Sequence, residues 1–198
     1  MSITDSIIKV SEWLNEEVCP DFKFKKPPGN RDPQDDGYKY ELVTPHAFPL
    51  FLPAMDKLPP GVPTNMPSIC VQIVDGTDNI PESRRDINVN LGISCWNPGV
   101  HSKDIFYPKG TAPDAPEPYA SSYDGWMDAW NFVDVILRKV ESSTSIGGMV
   151  LAPDVPVKFG PYKEQDSIPD FYPNWFAYVQ FTLREEFVRN NLDIEELL

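Results

Sequence analysis

Residues 86–96 read DINVNLGISCW, and this stretch decides the fold. Apolar residues occupy every second position, with Ile and Val prominent among them. This alternation predicts a β-strand with one face on a core and the other in a wetter environment. The polar side presents Asn88, Asn90, Gly92 and Ser94. Amides and a hydroxyl are poor groups for proton transfer, so this face is predicted to contact solvent or another protein surface, as part of a scaffold for assembly.

Two helices are predicted from the spacing of apolar residues. The first covers residues 2–18, with Ser2 or Thr4 as its N-cap and Pro20 just beyond its end. The second begins after Asp124, which can cap it. Its apolar stripe is wide enough to predict burial in the core. The stripe consists of Trp126, Trp130, Val133, Leu137 and Val140, widened by Met127, Phe132 and Ile136.

Four further segments have strand patterns. They are residues 37–43 (GYKYELV), 68–75 (SICVQIVD), 149–159 (MVLAPDVPVKF, interrupted by two prolines) and 175–187 (WFAYVQFTLREEF). Residues 68–75 are predicted to pair antiparallel with 86–96 after a turn at residues 78–86, although the connection is longer than a tight hairpin. The order of elements predicts an α+β fold, in which a mixed or antiparallel sheet of about four to five strands packs two main helices on one face.

Length and proline distribution define the domain organisation. The 198 residues fit one domain, 1–198. Two proline-rich segments, 27–67 and 97–123, are predicted to be long loops or insertions, and within the first only residues 37–43 alternate well enough for a strand. Residues 188–198 are predicted to be an interaction tail that is apolar and acidic and has no place in the core. The apolar residues of this tail are Leu192, Ile194, Leu197 and Leu198.

Charge and cysteine content argue against several classes of protein. The chain has 30 acidic and 17 basic residues and a formal charge of −13, which opposes binding to phosphate backbones. Cys19, Cys70 and Cys95 are odd in number, and two lie in strand patterns, so buried reduced thiols are expected. The N-terminal sequence lacks a basic region, and no apolar run approaches about 18 residues, so neither a signal peptide nor a membrane anchor is expected.

No constellation of catalytic or metal-binding residues is recognisable, so neither an enzyme nor a cofactor or metal site is predicted. His46 and His101 lie in proline-rich segments without a Cys or carboxylate at metal-ligand spacing, and solvated loop histidines are the preferred interpretation. The three aspartates around residues 78–86 match no calcium-binding loop, and turn formation explains them. They are Asp75, Asp78 and Asp86.

The aromatic residues allow two interpretations. They could line a sugar or ligand cleft, but the spacing of Trp126 and Trp130 on the second helix favours core packing. The aromatic set is Trp126, Trp130, Phe171, Tyr172, Trp175 and Tyr178. The loops 97–123 and 161–174 combine aromatic side chains with rigid prolines, which favours a protein interface. The interface candidates in these loops are Ile105, Phe106, Tyr107, Phe171 and Tyr172.

In outline the sequence resembles the tail terminator proteins, also called tail completion or neck proteins, of tailed bacteriophages and phage-tail-like particles. The matching features are the N-terminal amphipathic helix, MPSICVQIVDG, INVNLGISCW, DGWMDAWNFVDVILRKV and IPDFYPNWFAYVQFTLREE, whose aromatic-proline loop runs into a long final strand. Together they span the whole chain in outline. The two proline-rich segments are larger than compact members of the family would have, and none of the motifs is catalytic.

The resemblance implies a structural protein of a virion or tail-like particle, assembled in the host cytoplasm. Such a protein forms a hexameric ring on the tail tube, ends tube polymerisation and contacts the head-proximal connector, and in contractile tails also the last sheath ring. DNA passes through the ring, with no sequence-specific nucleic-acid partner and no membrane partner implied. Three alternatives are considered: a head-to-tail adaptor or other minor structural protein, a module that binds a small ligand or carbohydrate, and an enzyme, against which the missing catalytic constellation argues.

Specific surfaces are expected to serve these contacts. The ring interface is expected on the outer face of residues 86–96 or on an edge of the sheet. Loops 97–123 and 161–174 are expected to meet tube, sheath or connector. The tail 188–198 is expected to dock on a neighbour, in a groove or along a sheet edge.

Overall fold

The computed structural model describes residues 2–27, 41–100, 120–121 and 125–186 of the chain. Its strands are β1 (Phe24–Lys25), β2 (Leu42–Val43), β3 (His46–Pro49), β4 (Ser68–Asn79), β5 (Arg84–Trp96), β6 (Gly99–Val100), β7 (Ala120–Ser121), β8 (Val150–Leu151), β9 (Lys158–Pro161) and β10 (Asn174–Glu186). The helices are α1 (Ile3–Trp13) and α2 (Trp126–Ser142). A six-stranded mixed sheet has the order β3-β4-β5-β10-β8, with β9 also paired to β10. The predicted α+β fold is confirmed.

The alternating stretch at residues 86–96 forms most of β5 and lies at the centre of the sheet. β5 pairs antiparallel with β4 on one side and with β10 on the other, so that Leu91 lies between Val71 and Val179. Its apolar residues are all buried: Ile87, Val89, Leu91, Ile93 and Cys95. The predicted strand, its buried face and its antiparallel pairing with β4 are confirmed.

The hairpin between β4 and β5 is tighter than its sequence predicts. The strands stay paired up to Asn79 and Arg84, and only residues 80–83 form the turn. The explanation of the three aspartates as turn residues is therefore wrong. Asp78 accepts a 2.9 Å hydrogen bond from Arg85 Nη2 across the hairpin. Cross-strand ion pairing lets these charged residues continue the strands instead of ending them.

Helix α1 begins as predicted. The Ser2 hydroxyl accepts a 3.1 Å hydrogen bond from the Asp5 backbone N–H, and the Asp5 carboxylate accepts one from the Ser2 backbone N–H, which completes a capping box. The helical path continues beyond Trp13 as a π-turn and a 3₁₀-turn, and ends near residue 21. Val10, Leu14 and Val18 are buried against the sheet.

Both helices pack on the face of the sheet that holds the core. In α2 the buried residues are Ala129, Phe132, Val133, Ile136 and Val140. The prediction that Trp126 packs in the core is wrong, because this side chain is 48% exposed, as is Met127 at 43%. Trp126 is the first residue of the helix and lies beside the loop after β9, past the edge of the core. Trp130 is partly buried against the core.

The proline-rich segment before β4 contains a strand that its sequence does not predict. β3 pairs parallel with β4 from His46 to Pro49 and forms one edge of the sheet. Asn15 covers this edge, since its amide exchanges hydrogen bonds of 2.8 and 3.0 Å with the backbone of Ala47. His46 is thus a half-buried strand residue and not a solvated loop residue, and burial lowers its pKa. Of the predicted strand 37–43, residues 41–43 lie in the described part of the chain, and Leu42–Val43 form β2.

The opposite edge of the sheet consists of two short strands. β8 pairs with β10 at Leu183 and Arg184, and β9 pairs with β10 from Ala177 to Gln180. Residues 153 and 156, both proline, lie between them. The predicted interruption of this strand by its prolines is confirmed.

All three cysteines are free. Cys19 and Cys95 are buried, and burial raises the pKa of the Cys19 thiol to about 12. Cys70 is half-buried on the outer face of the sheet. The expectation of unpaired thiols is confirmed, and full burial applies to two of the three.

We expect the Arg184→Gln variant to lose stability at neutral pH. Arg184 binds Asp86 through Nε and Nη2, at 2.8 and 2.9 Å, and its Nη1 lies 2.8 Å from Asp154. The hydrogen bonds from Arg184 lower the pKa of Asp86. The stabilisation is therefore complete above the unfolded-state pKa of about 3.9 and disappears as the pH falls through the lower folded-state value.

Denaturant unfolding at pH 7 and near pH 3 measures this effect. The difference between wild type and Arg184→Gln should be clear at pH 7 and should shrink at the lower pH. The matched control is Arg138→Gln, on the exposed face of α2. A difference of the same size at both pH values contradicts the assignment to the ionised carboxylates.

Candidate interaction surfaces

The outer face of the sheet presents rows of polar side chains across β4, β5 and β10. Gln72, Asn90 and Gln180 are cross-strand neighbours, and Asn90 Nδ2 lies 3.4 Å from Gln72 Oε1. Asn88 donates to Asp75 and accepts from Thr182. Asn88 and Asn90 are both partly exposed. This exposure agrees with the predicted contact of this face with solvent or another protein.

The third polar candidate on this strand lies inside the protein. Ser94 is only 3% exposed, and its hydroxyl lies 2.7 Å from that of Ser68, which is also buried. The two hydroxyls satisfy each other as a cross-strand pair. Ser94 therefore does not belong to the accessible outer surface.

A groove opens between the start of α2 and the loop that joins β9 to β10. It encloses a cavity of about 440 Å3, and we call it the aromatic groove. Its aromatic lining is Trp126, Trp130, Tyr162, Phe171, Trp175 and Phe176, and its other lining residues are Ala129, Pro161, Ile168, Pro169, Asp170 and Asn174. Four of these aromatic residues belong to the set considered for a ligand cleft from the sequence. The other two members of that set, Tyr172 and Tyr178, are absent from the lining.

Hydrogen bonds to the chain leaving β5 fix the floor of the aromatic groove. Trp175 donates from Nε1 to the Asn97 carbonyl at 3.0 Å, and the Tyr172 hydroxyl donates to the Pro98 carbonyl at 2.7 Å. The ring of Tyr172 meets that of Trp175 edge-on, with 6.2 Å between centroids. Gly125 lies directly against the Trp175 indole, where no side chain would fit. Tyr172, a predicted interface residue, thus holds the loop in place.

The outer wall of the groove is a cluster of three rings. Tyr162, Phe171 and Phe176 have centroid distances between 5.5 and 6.4 Å. Phe171 is 40% exposed and agrees with its predicted surface position, while Ile168 beside it is 65% exposed. Among the described residues of the lining, Asp170 is the one carboxylate, and its Oδ1 accepts the Tyr172 backbone N–H at 3.0 Å. The groove is suited to bind an apolar or aromatic group.

A second apolar surface follows β3, at the other edge of the sheet. Residues 50–55, with the sequence LFLPAM, contain no charged or polar side chain, and we call them the apolar loop. Phe51 is 66% exposed and Leu50 is 55% exposed. This surface is not among the interface candidates predicted from the sequence. The sequence does contain an indication of an exposed apolar loop: three large apolar residues are consecutive between two prolines, in a segment with no helical or strand period.

The apolar loop is held firmly although it is exposed. Leu50 donates its backbone N–H to the Val71 carbonyl at 2.8 Å, and Cys70 Sγ donates to the Leu50 carbonyl at 3.3 Å. Asn65 Nδ2 donates to the Pro53 carbonyl at 3.0 Å. Leu50 adopts a φ of 70°, which non-glycine residues rarely do. Strained backbone of this kind is kept where the surroundings enforce it, often at functional sites.

The remaining interface candidates lie outside the described residues. They are Ile105, Phe106, Tyr107, Leu192, Ile194, Leu197 and Leu198. Within the part of the chain that is described, no group of three or more His, Cys, Asp or Glu side chains could hold a metal ion. In the same part, no helix has the length and apolar character needed to span a bilayer.

Comparison with known proteins leaves these surfaces without an assigned role. No protein-family model matches the chain, and no curated protein matches it at a significant level.

Proposed function

We propose that this chain is a structural subunit of a phage or phage-tail-like particle. In this role it assembles as a ring, hexameric by the family resemblance, on the end of the tail tube. The ring stops polymerisation of the tube and provides the interface to the head connector, and to the sheath in a contractile tail. Its location is then the assembled particle.

One observation supports this proposal above the others: in the described part of the chain, two apolar surfaces remain exposed outside the buried core. The aromatic groove and the apolar loop both expose large apolar side chains, and they lie at opposite edges of the sheet. Apolar surfaces rimmed by polar residues typically mark protein contacts. A subunit that must be covered on both sides has this distribution.

The charge of the chain agrees with the same role. A net charge of −13 favours solubility of the unassembled subunit and disfavours tight binding of DNA that passes through a ring. Two bidentate ion pairs join strands within the sheet, Arg184 with Asp86 and Arg85 with Asp78. Their charges stabilise the subunit itself.

Electron microscopy of particles lacking the chain tests the proposal. We expect overlong or headless tails, because nothing then ends tube growth. Supplying the wild-type chain should restore the normal tail length. Tails of normal length that are unattached to heads indicate an adaptor instead, and unaltered particles contradict any role in tail assembly.

A truncation after Phe187 tests the contribution of the tail 188–198. We expect the truncated chain to keep its unfolding midpoint, because the helices and sheet of the described residues pack against one another through a buried core that extends from Val10 to Leu183. It should nevertheless form the ring or join the tail less efficiently than the full chain. Size measurement and a tail-joining assay detect this difference, and equal behaviour of the two chains shows that the tail has no assembly role.

The aromatic groove also favours a second candidate function, the binding of a small ligand or carbohydrate. Its volume lies within the range of roughly 300–1,000 Å3 that is usual for ligand sites, and its indole rings can stack against a sugar. This function predicts that tryptophan fluorescence responds to a panel of sugars and that Trp126→Ala removes the response. A fluorescence signal that no sugar changes contradicts it.

A further inference from the structure

We propose that the apolar loop of one copy seats in the aromatic groove of the next copy, so that subunits join head to tail. The inference rests on the proposed function in taking a ring as the product of this contact. It goes further in naming the two surfaces that meet and the residues at their centres, Phe51 and Ile168. These side chains are 66% and 65% exposed in the single chain.

The positions of the two surfaces determine the symmetry of the contact. The apolar loop follows β3 at one edge of the sheet, and the aromatic groove lies beside β9 and the start of β10 at the other edge. Different surfaces that meet make a heterologous interface, and repeated heterologous contacts close into a ring or extend as a filament. A two-fold dimer would instead bury the same surface on both subunits.

Charge favours a second copy as the occupant of the groove. Two molecules that each have a net charge of −13 repel, so a contact between copies must use surfaces poor in carboxylates. The apolar loop has no charged side chain, and Asp170 is the single carboxylate among the described residues that line the groove. Contact through these surfaces places few like charges near each other.

The shape and stiffness of the loop suit insertion. Its backbone is fixed from β4 and from Asn65, and it contains Pro53. Little conformational entropy is then lost when the loop enters a partner. A cavity of about 440 Å3 lined by aromatic rings has room for a large apolar side chain such as that of Phe51. Aromatic groups in such pockets are the usual anchors of protein interfaces.

Site-specific cross-linking tests the contact. One full-length chain has Leu52→Cys, which leaves Phe51 in place, and another has Ile168→Cys; both have a Cys70→Ser background that keeps a hydroxyl donor to the Leu50 carbonyl. The two other native thiols, Cys19 and Cys95, are buried. The purified chains are mixed and treated with a short bis-maleimide. We expect a cross-linked dimer in roughly tenfold higher yield than in the control mixture, because a seated loop raises the local thiol concentration.

The control mixture replaces Ile168→Cys by Ile80→Cys, which places a thiol at a similarly exposed position in the β4–β5 turn. Each variant alone should give only the background yield, since a head-to-tail contact separates identical positions. Equal yields in the test and control mixtures overturn the inference, as does a dimer formed by one variant alone. A sugar that binds the groove and leaves the cross-link unchanged also overturns it, because the two occupants need the same space.

The outcome is independent of the test of the proposed function. Cross-linking reports contact between copies, whereas microscopy reports the length and joining of tails. Particles that depend on the chain while the test mixture gives only background yield refute this contact and leave the proposed function standing. If the cross-link is specific but loss of the chain leaves particles unaltered, the contact between copies stands and the proposed function is refuted.

Discussion

We expect the Phe132→Ala variant to lose about 3–5 kcal/mol of unfolding free energy. Phe132 is fully buried in α2, and its ring packs against those of Phe22 and Phe24 with centroid distances of 4.8 and 5.0 Å. This three-ring cluster joins the segment after α1 to the second helix. Truncation leaves a cavity among rings that cannot all move inward, and the loss is large compared with a typical total stability of about 5–15 kcal/mol.

Denaturant unfolding followed by tryptophan fluorescence measures this loss. The matched control is Met127→Ala, on the same helix, whose side chain is 43% exposed in the single chain. Removal of an exposed side chain leaves little cavity, so the control should change the stability by about 0.5 kcal/mol or less. If both variants lose a similar unfolding free energy, the loss comes from substitution in helix α2 and not from the cavity in the ring cluster.

The Gly125→Ala variant should disrupt the floor of the aromatic groove. A Cβ atom at this position would lie 2.2 Å from Trp175 Nε1 and 2.6 Å from the Asn97 carbonyl oxygen. Both neighbours are held by the hydrogen bond between them, so one must move and the bond is lost. Overpacking of this kind costs about 1–3 kcal/mol.

The Gly125→Ala variant should also weaken the proposed contact between copies, because it changes the groove that receives the apolar loop. In the cross-linking mixture, Gly125→Ala added to the Ile168→Cys chain should reduce the dimer yield to that of the control. Gly92→Ala is the matched substitution, because its Cβ would meet the Cys70 side chain at 3.7 Å, an ordinary contact. A yield that Gly125→Ala leaves unchanged contradicts the view that the Trp175 position shapes the groove.

Local sequence pattern was sufficient for the central elements of the fold. The alternation at residues 86–96 fixed both the strand and its buried face, because a shift of one residue would turn every apolar side chain of β5 to the outer side. The Ser2 capping box and the apolar spacing of α1 likewise depend only on residues within a few positions. The α+β class followed from the order of these elements.

The same reasoning failed where an element meets its surroundings. Trp126 lies on the apolar stripe of α2 but extends past the end of the core, and the spacing of a helix contains no information about where its partner ends. β3 was missed because its pairing with β4 comes from a partner about twenty residues away, while its own sequence resembles a proline-rich loop. The charged end of the β4–β5 hairpin was read as a turn, because its ion pairs form only across the strands.

The sequence alone thus determined which faces of the main strand and helices are apolar, because these faces follow from side-chain period. Only the tertiary structure decided which apolar residues stay uncovered. The groove forms where Trp126, Phe171 and Trp175 come together from separate elements, and the loop at Phe51 lies opposite because β3 pairs at the far edge of the sheet. The exposure of an apolar side chain depends on whether other elements of the fold cover it, and a local sequence pattern contains no information about those elements.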